Sequence, residues 1–126
     1  IDNGKAYEIF EKMISNHKGS MNSIKLNPSS KRIIKAEKEG FLNFNNTKGL
    51  GLSIIELGGG RKKIEDTVDP HAGFKLIKKH GSYVKENDAI AEIFCSNAKK
   101  NEIGSTIFKQ SIKIMKQLPN KYKLTY

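Results

Sequence analysis

Apolar residues near the start of the chain recur at helical spacing. Ala6, Ile9, Phe10, Met13 and Ile14 fall at i, i+3, i+4, i+7 and i+8, with Lys5, Glu8, Glu11 and Lys12 off that face. This spacing predicts a helix over residues 4–16 with one apolar stripe. Asp2 or Asn3 is placed to cap it, and Gly19 lies just past its end. Residues 17–30 break the pattern: His17, Lys18, Gly19 and Ser20, then Pro28-Ser29-Ser30, read as a linker. The first helix is therefore expected to belong to a different packing unit from the remainder.

The periodicity changes from Lys31 onward. Ile33, Ile34 and Ala36, then Phe41, Leu42 and Phe44, read as two short strands joined by the charged turn Glu37-Lys38-Glu39-Gly40. Asn46-Thr47 forms an N-cap for a helix to about Leu57, carrying Leu50, Ile54 and Leu57, which Gly58-Gly59-Gly60 stops. A polar stretch from Arg61 to Ala72 follows. Phe74 to Ile77 and Ala89 to Phe94 read as strands, with Gly81 and Asn87 as turn positions between them. A last helix is expected from about Lys99 to Leu118, with Ile103, Ile107, Ile114 and Leu118 as its stripe, Phe108, Ile112 and Met115 beside it, and Pro119 ending it. Helix, linker, then β-β-α-β-β-α makes the body α+β with one core.

Length and composition add bounds to this picture. The chain has 126 residues, 37% hydrophobic and 29% charged, which suits one folded domain or one domain with a docking segment. No run of 18 apolar residues occurs, so no spanning helix and no membrane partner are expected. The opening Ile1-Asp2-Asn3-Gly4-Lys5 lacks the apolar run of a signal peptide and starts without Met, as a fragment would. The single cysteine, Cys95, leaves no disulfide framework or structural zinc site and fits a cytoplasmic location.

A net charge of +10 and a pI near 9.7 raise the question of nucleic acid. Only Arg32 and Arg61 among the 23 basic residues are arginine, and the lysine pairs Lys62-Lys63, Lys78-Lys79 and Lys99-Lys100 are scattered. Lysine is a hydrated point charge, without the planar fork that reads bases and phosphates, and no aromatics interleave with these pairs. A solvated basic surface is the plainer reading, with no specific nucleic-acid binding expected. A free-standing basic domain that binds RNA or a protein partner is the alternative.

The conspicuous local motif is Gly58-Gly59-Gly60-Arg61, followed by Lys62-Lys63. Three glycines expose backbone N–H groups that suit a phosphate. They follow a helix, however, at its negative end, whereas phosphate loops precede a helix and use the positive end. The spacing also differs from a P-loop and from G-x-G-x-x-G. Asp66, Asp69 and His71 lack the further partners a metal needs, and Asp69-Pro70 and Asp66-Thr67 read as turn formers. His17 and His80 read as surface residues and Cys95 as a buried inert thiol. No catalytic residue, cofactor site or metal site is expected. Lys78 to Phe94 also looks like part of a biotinyl or lipoyl carrier barrel, but no hairpin-tip lysine triplet of a carrier is present.

Taken in order, Asp2-Asn3-Gly4-Lys5-Ala6, Glu39-Gly40-Phe41, Leu57-Gly58-Gly59-Gly60-Arg61, Asp66-Thr67-Val68-Asp69 with Gly73, and the Gly81, Val84, Asp88 turn form a specific set. The set resembles the C-terminal part of a bacterial thymidine or pyrimidine-nucleoside phosphorylase, from Asp2 to about Leu118. Asn87 stands where that family usually has Gly, and the segment from Lys18 to Lys31 is somewhat trimmed. Asn tolerates the same left-handed backbone. The resemblance implies a hammerhead-like module, related to the barrel-sandwich fold, over residues 31–126. Residues 1–30 would be the exit helix and linker from a central domain. It also implies a homodimeric parent enzyme that carries out reversible phosphorolysis of a pyrimidine nucleoside, with phosphate and nucleoside bound by other domains. The role implied for this chain is structural: it completes the large domain, with Gly58, Gly59, Gly60 and Arg61 facing the cleft as a domain-closure segment. Arg61 to Asp69 is then expected to be a mobile loop in the isolated chain, having only Ile64 and Val68 as apolar anchors.

Overall fold

A computed structural model describes residues 3–21 and 27–118. Residues 1–2, 22–26 and 119–126, which hold the predicted cap Asp2, part of the predicted linker and the predicted helix stop Pro119, lie outside the described residues. The element order is α1 (Lys5–Asn16), β1 (Ser30–Lys35), β2 (Gly40–Asn43), α2 (Thr47–Ile54), β3 (Gly73–Leu76), β4 (Tyr83–Val84), β5 (Ala89–Cys95), α3 (Ala98–Gln110) and β6 (Lys113–Met115). The architecture is α+β, as the pattern predicts.

The strands form two three-stranded antiparallel sheets, ordered β1-β5-β3 and β4-β2-β6. β1 and β2 are neighbours in sequence but lie in different sheets. Ser30 stands opposite Cys95 and Ile34 opposite Ala91, whereas Leu42 stands opposite Ile114. The charged turn between them is therefore a crossing from one sheet to the other. It is pinned where Ala36 N–H donates to Asp88 O and Asn87 N–H donates back to Ala36 O, both at 2.8 Å. Asn87 adopts φ 68° and Gly81 φ 81°, so both predicted turn positions are left-handed. The asparagine fills the place expected of glycine.

The core joins both sheets and two helices. Ile34, Leu42, Leu57, Val84, Ile90, Ile93 and Phe108 are fully buried there. Phe74 meets Phe108 edge-on at 5.0 Å. α1 buries no residue. Its stripe stays open, with Ile9 70% and Phe10 43% exposed. Its cap is Gly4, with Asn3 Oδ1 accepting from Lys5 N–H at 3.2 Å.

Three expectations are corrected. The last helix ends at Gln110, and residues 113–115 form the edge strand β6. At that end Ser111 closes the helix: its N–H and hydroxyl both donate to Ile107 O, at 3.1 and 2.8 Å. Beyond it Ile112, Lys113 and Ile114 alternate with the period of a strand. Second, the buried face of α3 is not the isoleucine stripe but Asn101, Gly104, Ser105 and Phe108, while Ile103 is exposed. α3 crosses α2 so closely that a Cβ on Gly104 would lie 2.6 Å from Leu57 Cγ and 3.1 Å from Ser53 O. Only small residues fit such a crossing. Third, the polar stretch between Ile77 and Ala89 contains β4, a strand of two residues too short to show a pattern.

Candidate functional site

The glycine motif sits where α2 runs out. Asn46 caps α2 as predicted, its side chain accepting from Gly49 N–H at 2.9 Å. After Ile54 the helix widens into a π-type turn, Ile55–Gly59. Gly58 inside it takes φ 101°, a conformation that a side chain would strain. The motif is thus the C-terminal end of a helical segment, which presents carbonyls, and Gly58 O accepts from Asp69 N–H at 2.8 Å.

From Gly60 the chain loops out and returns at Asp69. Ile64, its expected apolar anchor, is 89% exposed, and Val68 is exposed as well. The loop is held instead by two carboxylates. Asp66 Oδ2 accepts from the N–H groups of Lys62 and Lys63, both at 2.9 Å. These bonds hold its carboxyl below the usual carboxylate range against the opposing desolvation, with nearby Lys100 and Lys62 adding to the effect. Asp69 makes the longer link. Its Oδ2 accepts from Ser96 N–H at 2.7 Å, and its Oδ1 from the Ser96 hydroxyl and from His71 N–H, both at 2.9 Å. Burial works against its charge, but the Ser96 and His71 hydrogen bonds and the nearby His71 outweigh it and hold the carboxyl low. Ser96 immediately precedes Asn97, the cap of α3, so this carboxylate also lies by the positive end of that helix.

Between the loop and the helices lies a cavity of about 450 Å³. Gly58 and Gly60 line it with Glu56, Lys62, Asp66 and Lys100. Its two acids and two bases balance, and Lys62 Nζ already meets the Glu56 carboxylate at 2.6 Å. Arg61 is exposed and makes no hydrogen bond or ion pair among the described residues. Among the described residues no group of three His, Cys, Asp or Glu side chains converges on a metal position.

The other candidates are dispersed. Cys95 is buried, its thiol donating to Asn97 O at 3.1 Å. His80 is exposed, with Nδ1 accepting from Phe44 N–H at 3.2 Å. His71 is half-buried, and its Nδ1 has no hydrogen-bond partner among the described residues. Asp69-Pro70 was legible as a turn, and Asp69 does bond the N–H two residues on. Its clamp on Ser96, 27 residues away in the chain, left no mark in the local pattern.

No helix among the described residues is long and apolar enough to cross a membrane. The family model of the pyrimidine nucleoside phosphorylase C-terminal domain matches residues 41–115, from β2 through the glycine motif and its loop to β6. More than half of the sequence, including every strand after β1 and the Asp69 clamp, lies within or at the edge of that match, and the chain belongs to the pyrimidine nucleoside phosphorylase C-terminal domain family.

Proposed function

We propose that this chain serves as the C-terminal domain of a working pyrimidine nucleoside phosphorylase, a pentosyltransferase, and supplies structure rather than a catalytic group. The reaction of the parent is reversible phosphorolysis. A phosphate oxygen bonds to the anomeric carbon, the glycosidic C–N bond breaks, and the base leaves with the electron pair and takes a proton. The products are a free pyrimidine and a (deoxy)ribose 1-phosphate. The observation that carries the reading is the family match over residues 41–115. Phosphate and nucleoside would be held by the other domains of a cytoplasmic homodimer, with no cofactor contributed here. The exposed stripe of α1 would pack on the preceding domain. Gly58 to Arg61 would face the cleft, with Arg61 free to meet a group across it. Catalysis depends on holding both reactants in one closed site.

The test is a turnover assay of the isolated chain with saturating phosphate and either thymidine or uridine. No release of base above the protein-free rate is expected. Release that scales with the concentration of this chain overturns the structural role.

A further inference from the structure

A second cavity, of about 490 Å³, shares no lining residue with the one beside the glycine loop. Two strand edges border it. β1 is the outer strand of its sheet and contributes Ile34 and Lys35; β6 is the outer strand of the other and contributes Lys113, Ile114 and Met115. Ile112 and buried Ile90 complete an aliphatic lining with no aromatic residue in it. The charges around it are uneven. Lys35, Lys38, Lys109 and Lys113 line the cavity against one acid, Glu37.

None of these four lysines forms an ion pair among the described residues; the pairs present there use Lys31, Lys62 and Lys78. All four are exposed. The carbonyls that end α3 beside Lys109 are taken up internally, by Ser111 N–H on Ile107 O and Phe108 O and by Ile112 N–H on Lys109 O. That lowers the local negative field that a helix end would otherwise turn toward an anion. What is left is a net positive rim over branched aliphatic side chains.

We propose that this cavity binds a small amphiphilic anion: a carboxylate or phosphate head carried on an aliphatic tail. The size lies within the range of about 300 to 1,000 Å³ usual for small-molecule pockets. The lining selects the tail, since Ile112, Ile114 and Met115 offer apolar surface over the buried Ile34 and Ile90 but no ring for a base or sugar to stack on. The rim selects the sign of the head and not its shape, because lysine offers point charges without a fixed fork. The nucleoside and sugar phosphate of the parent reaction carry no aliphatic chain for this lining to cover, so this site is independent of phosphorolysis.

The experiment is calorimetric titration of the full chain with decanoate and, separately, decyl phosphate, both kept below their micelle concentrations. Decanol, acetate and inorganic phosphate serve as controls. Both amphiphiles are expected to bind saturably at one site, and each control at least roughly tenfold more weakly. The double variant Lys35→Glu/Lys109→Glu changes two exposed residues, so its fold is expected to hold, which circular dichroism checks. It should weaken decanoate binding by roughly tenfold or more, as attraction turns to repulsion at two positions. Binding of acetate or inorganic phosphate as tight as that of the amphiphiles overturns the proposal in favour of plain surface charge, and decanol binding as tightly overturns it in favour of an uncharged apolar site. Absence of saturable decanoate binding, or equal affinity in the double variant, overturns it as well.

Discussion

α1 and α3 make opposite use of their apolar residues. α1 carries the clearer stripe, with Ile9, Phe10 and Met13 on one face, yet it buries nothing. α3 presents Asn101, Gly104 and Ser105 to the core, with Phe108 as its one large buried side chain, yet it packs on α2, β1 and β5. A stripe reports that a helix has a face to cover. It does not say that the cover lies within the same chain, and a close helix crossing replaces the stripe with small residues. The polar members of the α3 face are satisfied: Asn101 Nδ2 donates to Ser30 O at 3.1 Å, and Ser105 Oγ donates to Asn101 Oδ1 at 3.0 Å.

The largest expected effect tests the α3 crossing through two glycines. In a helix, Gly→Ala gains about 1 kcal/mol of propensity. At Gly104 the new methyl would strike Leu57 Cγ and crowd a backbone carbonyl, an overpacking cost of about 1–3 kcal/mol that outweighs the gain. Gly51 in α2 is exposed and has nothing within 4 Å of an added Cβ. Gly104→Ala should therefore lower the urea midpoint and Gly51→Ala raise it. Equal shifts in one direction would show that the crossing is looser than described.

A smaller effect sharpens the contrast at the loop. Asp69 and Asp66 both have folded-state carboxyls held below the unfolded value of about 3.9. The unfolded chain then binds more protons in acid, so their stabilisation is present above about pH 4 and is lost as pH falls through the lower folded values. The thermal midpoint should drop in this window. Asp69→Asn should lower the midpoint at neutral pH, because an amide N–H₂ cannot accept from Ser96, and should flatten part of the acid dependence while Asp66 keeps the rest. An unchanged acid slope in the variant removes Asp69 from the account.

The smallest effect belongs to α1. Phe10→Asp should leave the stability of this chain within about 0.5 kcal/mol of the parent sequence, since Phe10 is 43% exposed on a helix that buries no residue. A clear fall in the urea midpoint would place α1 against this domain after all.

Much of the fold was readable because it rests on local signals. The Asn46 cap, the left-handed Gly58, Gly81 and Asn87, and the strands holding Ile34, Leu42 and Ile93 each follow from the residues beside them. What escaped depends on partners distant in sequence. β4 and β6 are strands because both pair with β2, and the isoleucines that suggested a longer helix fit a strand equally well. The glycine motif was correctly placed after a helix. Its loop, though, is tied by Asp69 to Ser96, a link only the tertiary structure creates.

The crossing of β1 and β2 between sheets governs the order in which this chain acquires structure. Ser30 waits for Cys95, and Phe41 for Met115, so the first two strands find no partner in each other. Folding must close long segments before any contact rewards the loss of entropy, which makes it slow compared with a hairpin-built domain. On the ribosome, β2 remains open on one edge until β6 has emerged, almost at the end of the match to its family. A ribosome that stops in α3 thus releases a chain with an unpaired strand edge and exposed Leu42, a substrate for chaperones and proteases rather than a shorter version of the domain.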